Sequence, residues 1–319
     1  MSNAENRMPV AVLALNPAVD ISYEIPQLLA DQKVRATRTL YHPGGNGINV
    51  ARGLTELEIP VRCCSVLGGK GGELFLRLLG DSLGDGHHYI EVDGETRINA
   101  TLLQKQPPSQ YEVDSGGPEI SEQLLEEITD CFLENCANGY AVLTGSTPPG
   151  VPDDTYAELT ERISAMRGKV VLDAHGVVLK NALEAKPFLL RSNRYVLEML
   201  IKKRLDSIEA VAEAAREIQR GGTEIVCISL GTEGAVLVDS RSSYHCTAPR
   251  VRVYSTVGSG DAMLAGMIAA SLRQQNAEEM LRFGIICGSA TASYPGTCLF
   301  KRAEIEKAEY DLVVRSLDI

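Results

Sequence analysis

A chain of 319 residues with 44% apolar side chains is long enough to bury the core of one main domain, with a smaller appendage beside it. Its formal net charge of −11 at neutral pH argues against nucleic acid and anionic membrane as partners, so an anionic ligand must be drawn by a local positive site. Of its eight cysteines, Cys63 and Cys64 are adjacent and Cys131 and Cys136 five apart; these spacings suit neither a zinc site nor a CxxC redox pair, and buried, reduced thiols in a cytosolic protein are the expectation.

Residues 1–7 carry no readable element, and no signal-peptide pattern precedes the first apolar run, at 10–15, which reads as a buried strand ended by Asn16-Pro17. Residues 21–41 are rich in Tyr, Val, Ile, Thr and Arg without a helical period, and 89–115 share that character; both read as strands of a small second sheet. Between them Pro43-Gly-Gly-Asn-Gly-Ile-Asn-Val-Ala51 is a glycine-rich turn entering an amphipathic helix. Its buried face would carry Ile48, Ala51, Leu54 and Leu57. There is no HExxH pair, and His87-His88 reads as an exposed turn. Further apolar runs at 141–143, 170–172, 188–190 and 225–229 read as strands. Helical patterns at 153–166 and 208–220 separate several of them, the latter stopped by Gly221-Gly222. Gly231-Thr-Glu-Gly234 joins 225–229 to another strand at 235–239, a hairpin connection on its own evidence.

Strand–helix alternation of this kind predicts an α/β fold with a parallel sheet covered on both faces. Small or polar residues follow the strands: Asn16-Pro17, Thr144-Gly145-Ser146, Asp173, Asn193 and Gly231. The ligand cleft of such a sheet lies at these carboxyl ends. The longest apolar run of the C-terminal third stops at Arg273 and is too short for a bilayer.

Thr256-Val-Gly-Ser-Gly-Asp261 leads into that run. Gly258, Ser259 and Gly260 would let a ligand approach the backbone, with N–H groups at a helix start facing an anion. A carboxylate there repels the anion unless it takes a proton from the group attacking it. From this stretch alone, Asp261 reads equally well as a general base or as a helix cap.

Two glycine turns, early and late, with Asp261 in the second, resemble the paired signatures of the PfkB carbohydrate kinases. Leu15-Asn-Pro-Ala-Val-Asp20, Thr96-Arg-Ile-Asn99, Thr144-Gly-Ser-Thr-Pro-Pro-Gly150, Ser229-Leu-Gly-Thr-Glu-Gly234 and Arg282-Phe-Gly284 are similar to segments of its phosphofructokinase and tagatose-6-phosphate kinase branch. The P-loop GxxxxGK[ST] and the Rossmann GxGxxG are absent. The resemblance implies a ribokinase-like three-layer sandwich around a mostly parallel sheet, with a small β-sheet lid. The main domain would comprise 8–20, 42–88 and 116–319, and the lid 21–41 and 89–115.

By the same resemblance the reaction is ATP-dependent phosphoryl transfer to a ketohexose phosphate in the cytoplasm. Asp261 would be the base, and the amides of Gly258, Ser259 and Gly260 would stabilise the transferred group. Asp20, Gly44, Gly45 and Asn49 would hold the sugar, and Lys33, Arg97 and Ser146 its phosphate. Asn193, Ser229, Gly231, Gly234 and Thr256 would meet the nucleotide. ATP and Mg²⁺ are implied, with a monovalent cation as a further candidate, and so is a homodimer through the lid; no metal ligand is assigned. Fructose 6-phosphate is the first expected substrate, because Pro43-Gly-Gly-x-Gly-Ile-Asn and the segment from Arg282 are similar to the minor 6-phosphofructokinases. Leu15-Asn-Pro-Ala and Gly116-Gly-Pro-Glu-Ile-Ser121 lean toward fructose 1-phosphate or tagatose 6-phosphate.

Two positions depart from the branch. Arg191-Ser-Asn193-Arg-Tyr-Val196 stands where Lys-Pro-Asn-x-x-Glu is usual, and Val196 cannot organise a water on Mg²⁺. This departure motivates an alternative of another class, a weakly catalytic or non-catalytic sensor of sugar phosphate or nucleotide. Asn46 matches neither the lysine nor the glycine common in the first turn.

Overall fold

The computed structural model describes residues 8–308 and 310–319; the first seven residues, to which the sequence assigns no element, lie outside them. β1 (Val10–Ala14) is buried along its whole length. The chain then leaves for a small sheet, running out along β2 (Ala18–Ile25) and back antiparallel along β3 (Arg38–Gly44). It is delivered there to α1 (Asn46–Glu56). β4 (Val61–Leu67), α2 (Gly69–Leu79) and β5 (His87–Glu91) follow as a parallel β–α–β unit. β6 (Arg97–Lys105) and β7 (Pro108–Val113) complete the small sheet, whose order is β3-β2-β6-β7.

The remainder alternates as the sequence predicts: α3 (Glu122–Leu133), β8 (Tyr140–Thr144), α4 (Thr155–Ala165), β9 (Lys169–Asp173), α5 (Gly176–Glu184), β10 (Leu189–Asn193), α6 (Arg194–Ile201), α7 (Ile208–Arg220), β11 (Ile225–Ser229). β12 (Ala235–Val238) and β13 (Ser243–Cys246) turn back antiparallel. α8 (Ser259–Leu272) and α9 (Ala277–Ala292) pack together, and α10 (Arg302–Ile305) precedes the edge strand β14 (Val314–Ser316).

The large sheet runs β14-β13-β12-β11-β10-β9-β8-β1-β4-β5, parallel from β11 to β5. Its strands are apolar without alternation because both faces are covered. Val12, Val142 and Leu189 face α1, α8 and α9, whereas Leu13, Leu143 and Leu190 face α3, α4 and α7. The result is the expected three-layer sandwich. Chain order reverses on either side of β1, which pairs with β4 and β8, and the cleft of such a sheet opens at that switch point.

The helix-period segments match the structure to within two residues. The expected boundary of the lid at residue 89 does not match. β5 pairs in register with β4, Cys63 opposite His87 and Val66 opposite Ile90, so residues 87–91 are an edge of the large sheet. The second lid segment begins with β6. His87 is accordingly no exposed turn residue; its Nε2 lies 2.8 Å from Ser65 Oγ.

Register gives the small sheet two faces. Asp20, His42 and Asn99 stand side by side on one, and Ile21, Tyr41 and Ala100 on the other. The first face is polar and turns toward Thr297 and Cys298. α8 is buried continuously from Asp261 to Ala270, as expected of an interior helix apolar all round. It lies very close to α9: a Cβ at Gly288 would come 2.9 Å from the Ser259 carbonyl oxygen and 3.3 Å from Met263 Cβ.

Candidate active site

Two helix N-termini meet at Asp261. The acid occupies the first turn of α8 and is 4% exposed. It does not cap the helix, whose N-cap is Gly258. Its Oδ1 accepts from Asn46 Nδ2 and its Oδ2 from Asn49 Nδ2, both at 2.9 Å. Arg52 Nη1 donates to the Asn49 side-chain oxygen at 3.4 Å, which keeps the amide's donor end on the acid. Burial is the main cause that lifts the Asp261 pKa to about 6, and the charge of Asp173 adds to it. The Asn49 bond, the Arg191 charge and the Asn46 bond oppose the rise. A carboxylate poised near neutrality is suited to take a proton at physiological pH.

Of the three amides expected at the transferred group, Ser259 N–H is already given to the Thr256 carbonyl at 3.2 Å. Those of Gly258 and Gly260, and that of Asp261, have no protein acceptor among the described residues. Unfilled N–H groups at a helix start, with the dipole behind them, form an anion site.

Asp20 lies on the polar face of the small sheet, 6% exposed. Its Oδ2 accepts from Thr297 Oγ1 at 2.9 Å and its Oδ1 from Asn99 Nδ2 at 3.2 Å. Burial raises it to about 6 against the bonds from Thr297 and Asn99 and the charge of Arg97. A Cβ at Gly44 would take the place of this carboxylate, so the first glycine of the turn makes room for the acid. Gly45 caps α1 and backs onto Pro17. Arg52 Nη1 also donates to the carbonyls of Pro43 and Thr297, tying the supports of both acids together.

Arg97 is buried. Its Nε and Nη2 donate to the Asn16 carbonyl at 3.1 and 2.9 Å, and Nη1 to that of Ser115 at 3.0 Å. Two of its five N–H donors stay uncommitted. With Ser146, Gly45 and Asn46 it lines a narrow cavity at the ends of β1 and β8. Ser146 Oγ accepts from Asn16 Nδ2 at 3.1 Å. Lys33 is not brought there: it is exposed on the loop between β2 and β3, and among the described residues it makes no ion pair.

The five residues expected at the nucleotide come from three segments of the chain: the end of β10, the β11–β12 connection and the turn before α8. Asn193 and Ser229 are neighbours in register at the ends of β10 and β11. The Asn193 side chain caps α6 by accepting from Val196 N–H at 2.9 Å. Gly231 has open space beside it, whereas a Cβ at Gly234 would collide with the Cys246 carbonyl, which marks that glycine as a hairpin necessity. Thr256 meets the small sheet: its N–H donates to Gln110 Oε1 at 3.1 Å and its Oγ1 accepts from Gln110 Nε2 at 2.8 Å.

Asn46, Arg52, Gln110 and Arg191 carry site geometry that the sequence reading did not assign. Each acts on a partner distant in sequence, so no local spacing announces it.

Among the described residues no three His, Cys, Asp or Glu side chains converge on a point. Val196 packs against the core, Glu198 accepts from Leu205 N–H at 2.8 Å, and Asp173 is paired with Arg191 at 2.9 Å. These residues do not fit a metal held by the protein alone; a divalent ion would have to arrive on the nucleotide's own phosphates.

A profile of the pfkB family carbohydrate kinases matches residues 9–303. The 1-phosphofructokinase of Bacillus subtilis is 30% identical over 283 residues, 89% of this chain and 92% of its own length. The ATP-dependent 6-phosphofructokinase isozyme 2 of Escherichia coli is 31% identical over 300 residues, 93% and 97% of the two chains. The crystal structure of phosphofructokinase-2 from Escherichia coli in complex with substrates and products superposes with a TM-score of 0.88 at 30% identity, covering 94% of this chain and 97% of that one. The same protein in complex with potassium gives 0.86 at 30% identity over the same shares of the two chains.

Proposed function

Since the chain belongs to the pfkB family of carbohydrate kinases and is a sugar-phosphate kinase of ketohexose-phosphate type, we propose that it transfers the γ-phosphoryl group of ATP to fructose 6-phosphate. The observation that carries this reading is the buried Asp261, clamped between Asn46 and Asn49 beside free helix amides and next to the cavity of Arg97 and Ser146. The sugar's phosphate is gripped by the uncommitted donors of Arg97 and by Ser146. Asp20, with Asn49 beside Asp261, orients the hydroxyls. The attacking hydroxyl gives its proton to Asp261, and the Gly258 and Gly260 amides hold the charge on the transferred group. ATP supplies the phosphoryl group, and Mg²⁺ on its phosphates neutralises their charge; the potassium complex of the Escherichia coli relative supports a monovalent cation as well.

The resemblance to the Bacillus subtilis enzyme favours a second reading, in which fructose 1-phosphate is the acceptor. ADP release measured over fructose 6-phosphate, fructose 1-phosphate, tagatose 6-phosphate and free fructose decides between them. Preference for free fructose would remove the role of Arg97. Binding of sugar phosphate without turnover would leave a sensor on a kinase fold.

Association of two copies through the lid is part of the proposal. Tyr41, Ile98, Tyr111 and Val113, 49%, 46%, 41% and 61% exposed, share the outer face of the small sheet, and such a face needs cover. Sedimentation of the protein and of a Val113→Lys variant tests this. Eight cysteines, all free thiols, support a reducing compartment such as the cytoplasm, and no helix among the described residues is long and apolar enough to cross a membrane.

A further inference from the structure

Eight free thiols are spread over the fold, and among the described residues one pair of them is in sulfur contact. Cys64 Sγ on β4 lies 3.4 Å from Cys131 Sγ on α3, close enough for the rotation of one side chain to bring them to bonding distance. The two sulfurs differ in access. Cys64 is 2% exposed, in the layer of Leu13, Ile128 and Phe132; burial pushes its thiol above the usual range, and the contact with Cys131 adds to this. Cys131 is only half-buried, packed against that layer from its rim. The nearest competitors are turned elsewhere: Cys63 belongs to the opposite layer, and Cys136 Sγ donates to the Phe132 carbonyl at 3.2 Å.

Topology gives the pair a consequence. After β5 the chain leaves the large sheet, builds β6 and β7 of the small one, and returns through α3. A bond between β4 and α3, 67 positions apart, would close a ring containing α2, β5, β6 and β7. Near its return this excursion is held by hydrogen bonds, from Arg97 to the Ser115 carbonyl and from Asn16 Nδ2 to that of Gly116, both at 3.0 Å. A cross-link across so long a segment stabilises chiefly by narrowing the unfolded ensemble. The pair sits on the face of the sheet away from α1 and α8, whose buried side chains form the other layer, so the bond would leave Asp261 and its supports in place.

We propose that Cys64 and Cys131 are a redox modification site: a hydroperoxide joins them in a disulfide that staples the root of the small sheet's second half to the large sheet, and thiol reductants reopen it. The Cys131 thiolate attacks one peroxide oxygen. The O–O bond breaks, its electron pair leaving on the other oxygen, which takes up a proton, and Cys131 becomes a sulfenic acid. The Cys64 sulfur then bonds to the Cys131 sulfur, the S–O bond breaks, and hydroxide departs with the Cys64 proton as water. The two thiols together lose two electrons and the peroxide gains them, so hydrogen peroxide ends as two waters. Access fixes the order, because the peroxide reaches Cys131 and not Cys64. Contact makes the second step intramolecular, which traps the sulfenic acid before it is oxidised further.

The test treats the full chain with hydrogen peroxide, as wild type, Cys64→Ala and Cys131→Ser. The wild type should lose two of its eight thiols, counted after denaturation, and yield one disulfide-linked peptide joining positions 64 and 131. Its melting temperature should rise by roughly 5 °C, the order of a long-loop cross-link in a chain of this size, and dithiothreitol should reverse both changes. In Cys64→Ala, Cys131 should run on to sulfinic acid. Cys131→Ser, altered at the half-buried end of the pair, should keep the fold and its seven thiols without a shift in melting. A wild type that keeps all eight thiols, or whose Cys131 goes to sulfinic acid as readily as in Cys64→Ala, would overturn the proposal. Pairing of Cys131 with Cys136 would overturn it as well, and so would a 64–131 disulfide that leaves the melting temperature unchanged.

Discussion

Asn49 Nδ2 and Asp261 Oδ2 stand 2.9 Å apart although 212 residues separate them in sequence. This bond makes the early glycine turn part of the late one: the helix that starts at the early glycines also orients the acid of the late turn. The bond favours the charged form of Asp261, and burial favours the neutral one. Burial prevails, and the acid titrates near 6 rather than near 4.

The pH dependence follows. kcat/KM for the sugar phosphate should fall on the acid side with a midpoint near pH 6, as Asp261 takes up a proton in the free enzyme. Asp261→Asn should lower kcat by ~10²–10⁴-fold while leaving ATP affinity nearly intact. Near-wild-type turnover in that variant would place the base elsewhere.

Asp20 bears on stability. Its pKa is raised from 3.8 to about 6 on folding, so between those values the folded chain holds more protons than the unfolded one. This contribution is complete below about pH 4 and is lost as pH rises through 6. Asp20→Asn removes the titration and keeps an acceptor for Thr297. From pH 4 to pH 7, urea unfolding should show the variant gaining on wild type by roughly 3 kcal/mol, the order of two pKa units. A constant difference across that range would mean that Asp20 is not held neutral by burial.

Arg97 holds two backbone carbonyls and is proposed to hold the sugar's phosphate, and its variants should show both. Arg97→Ala leaves the carbonyls of Asn16 and Ser115 without their donors, a loss of about 1–3 kcal/mol in stability where they stay buried. It should also raise KM for the sugar phosphate, by an interaction typically worth ~1.5–3 kcal/mol for a charge-assisted contact, with KM for ATP scarcely changed. Equal rises in both KM values would assign the side chain to the lid alone.

Gln110 ties the small sheet to the turn before α8, through its paired bonds to Thr256. Gln110→Ala should leave the fold intact, since both side chains lie at the surface, and loosen closure over the cleft. The measurable consequence is a several-fold rise in ATP hydrolysis without sugar relative to sugar phosphorylation, because closure excludes water. An unchanged ratio would show that this contact does not govern closure.

The architecture was largely legible because it rests on local pattern. Residues 208–220 show a helical period and form α7 over that same span, and the apolar runs of 141–143 and 225–229 needed only to be strands buried on both faces. β5 was misassigned because a five-residue edge strand has no period to separate it from lid sequence. Asp261 was visible in its glycine-rich helix start, and Asp20 and Arg97 through the resemblance of Leu15–Asp20 and Thr96–Asn99 to the kinase branch. Arg52 and Gln110 were not, since their meaning lies in a carbonyl or hydroxyl brought near only by the fold. Arg191 was likewise not legible as the partner of Asp173 and Ser229 until β9, β10 and β11 were seen side by side.

Gly288 lies on α9 behind the turn that carries Asp261, and its missing side chain sets how deeply that turn can sit. A single methyl group there would press on the Ser259 carbonyl, so that α8 and α9 would have to move apart. The seat of the Asp261 turn is therefore set in part from a position that no inspection of the cleft would select. A mutational search for faster or more selective variants should include the contact between α8 and α9 as well as the residues that face the sugar.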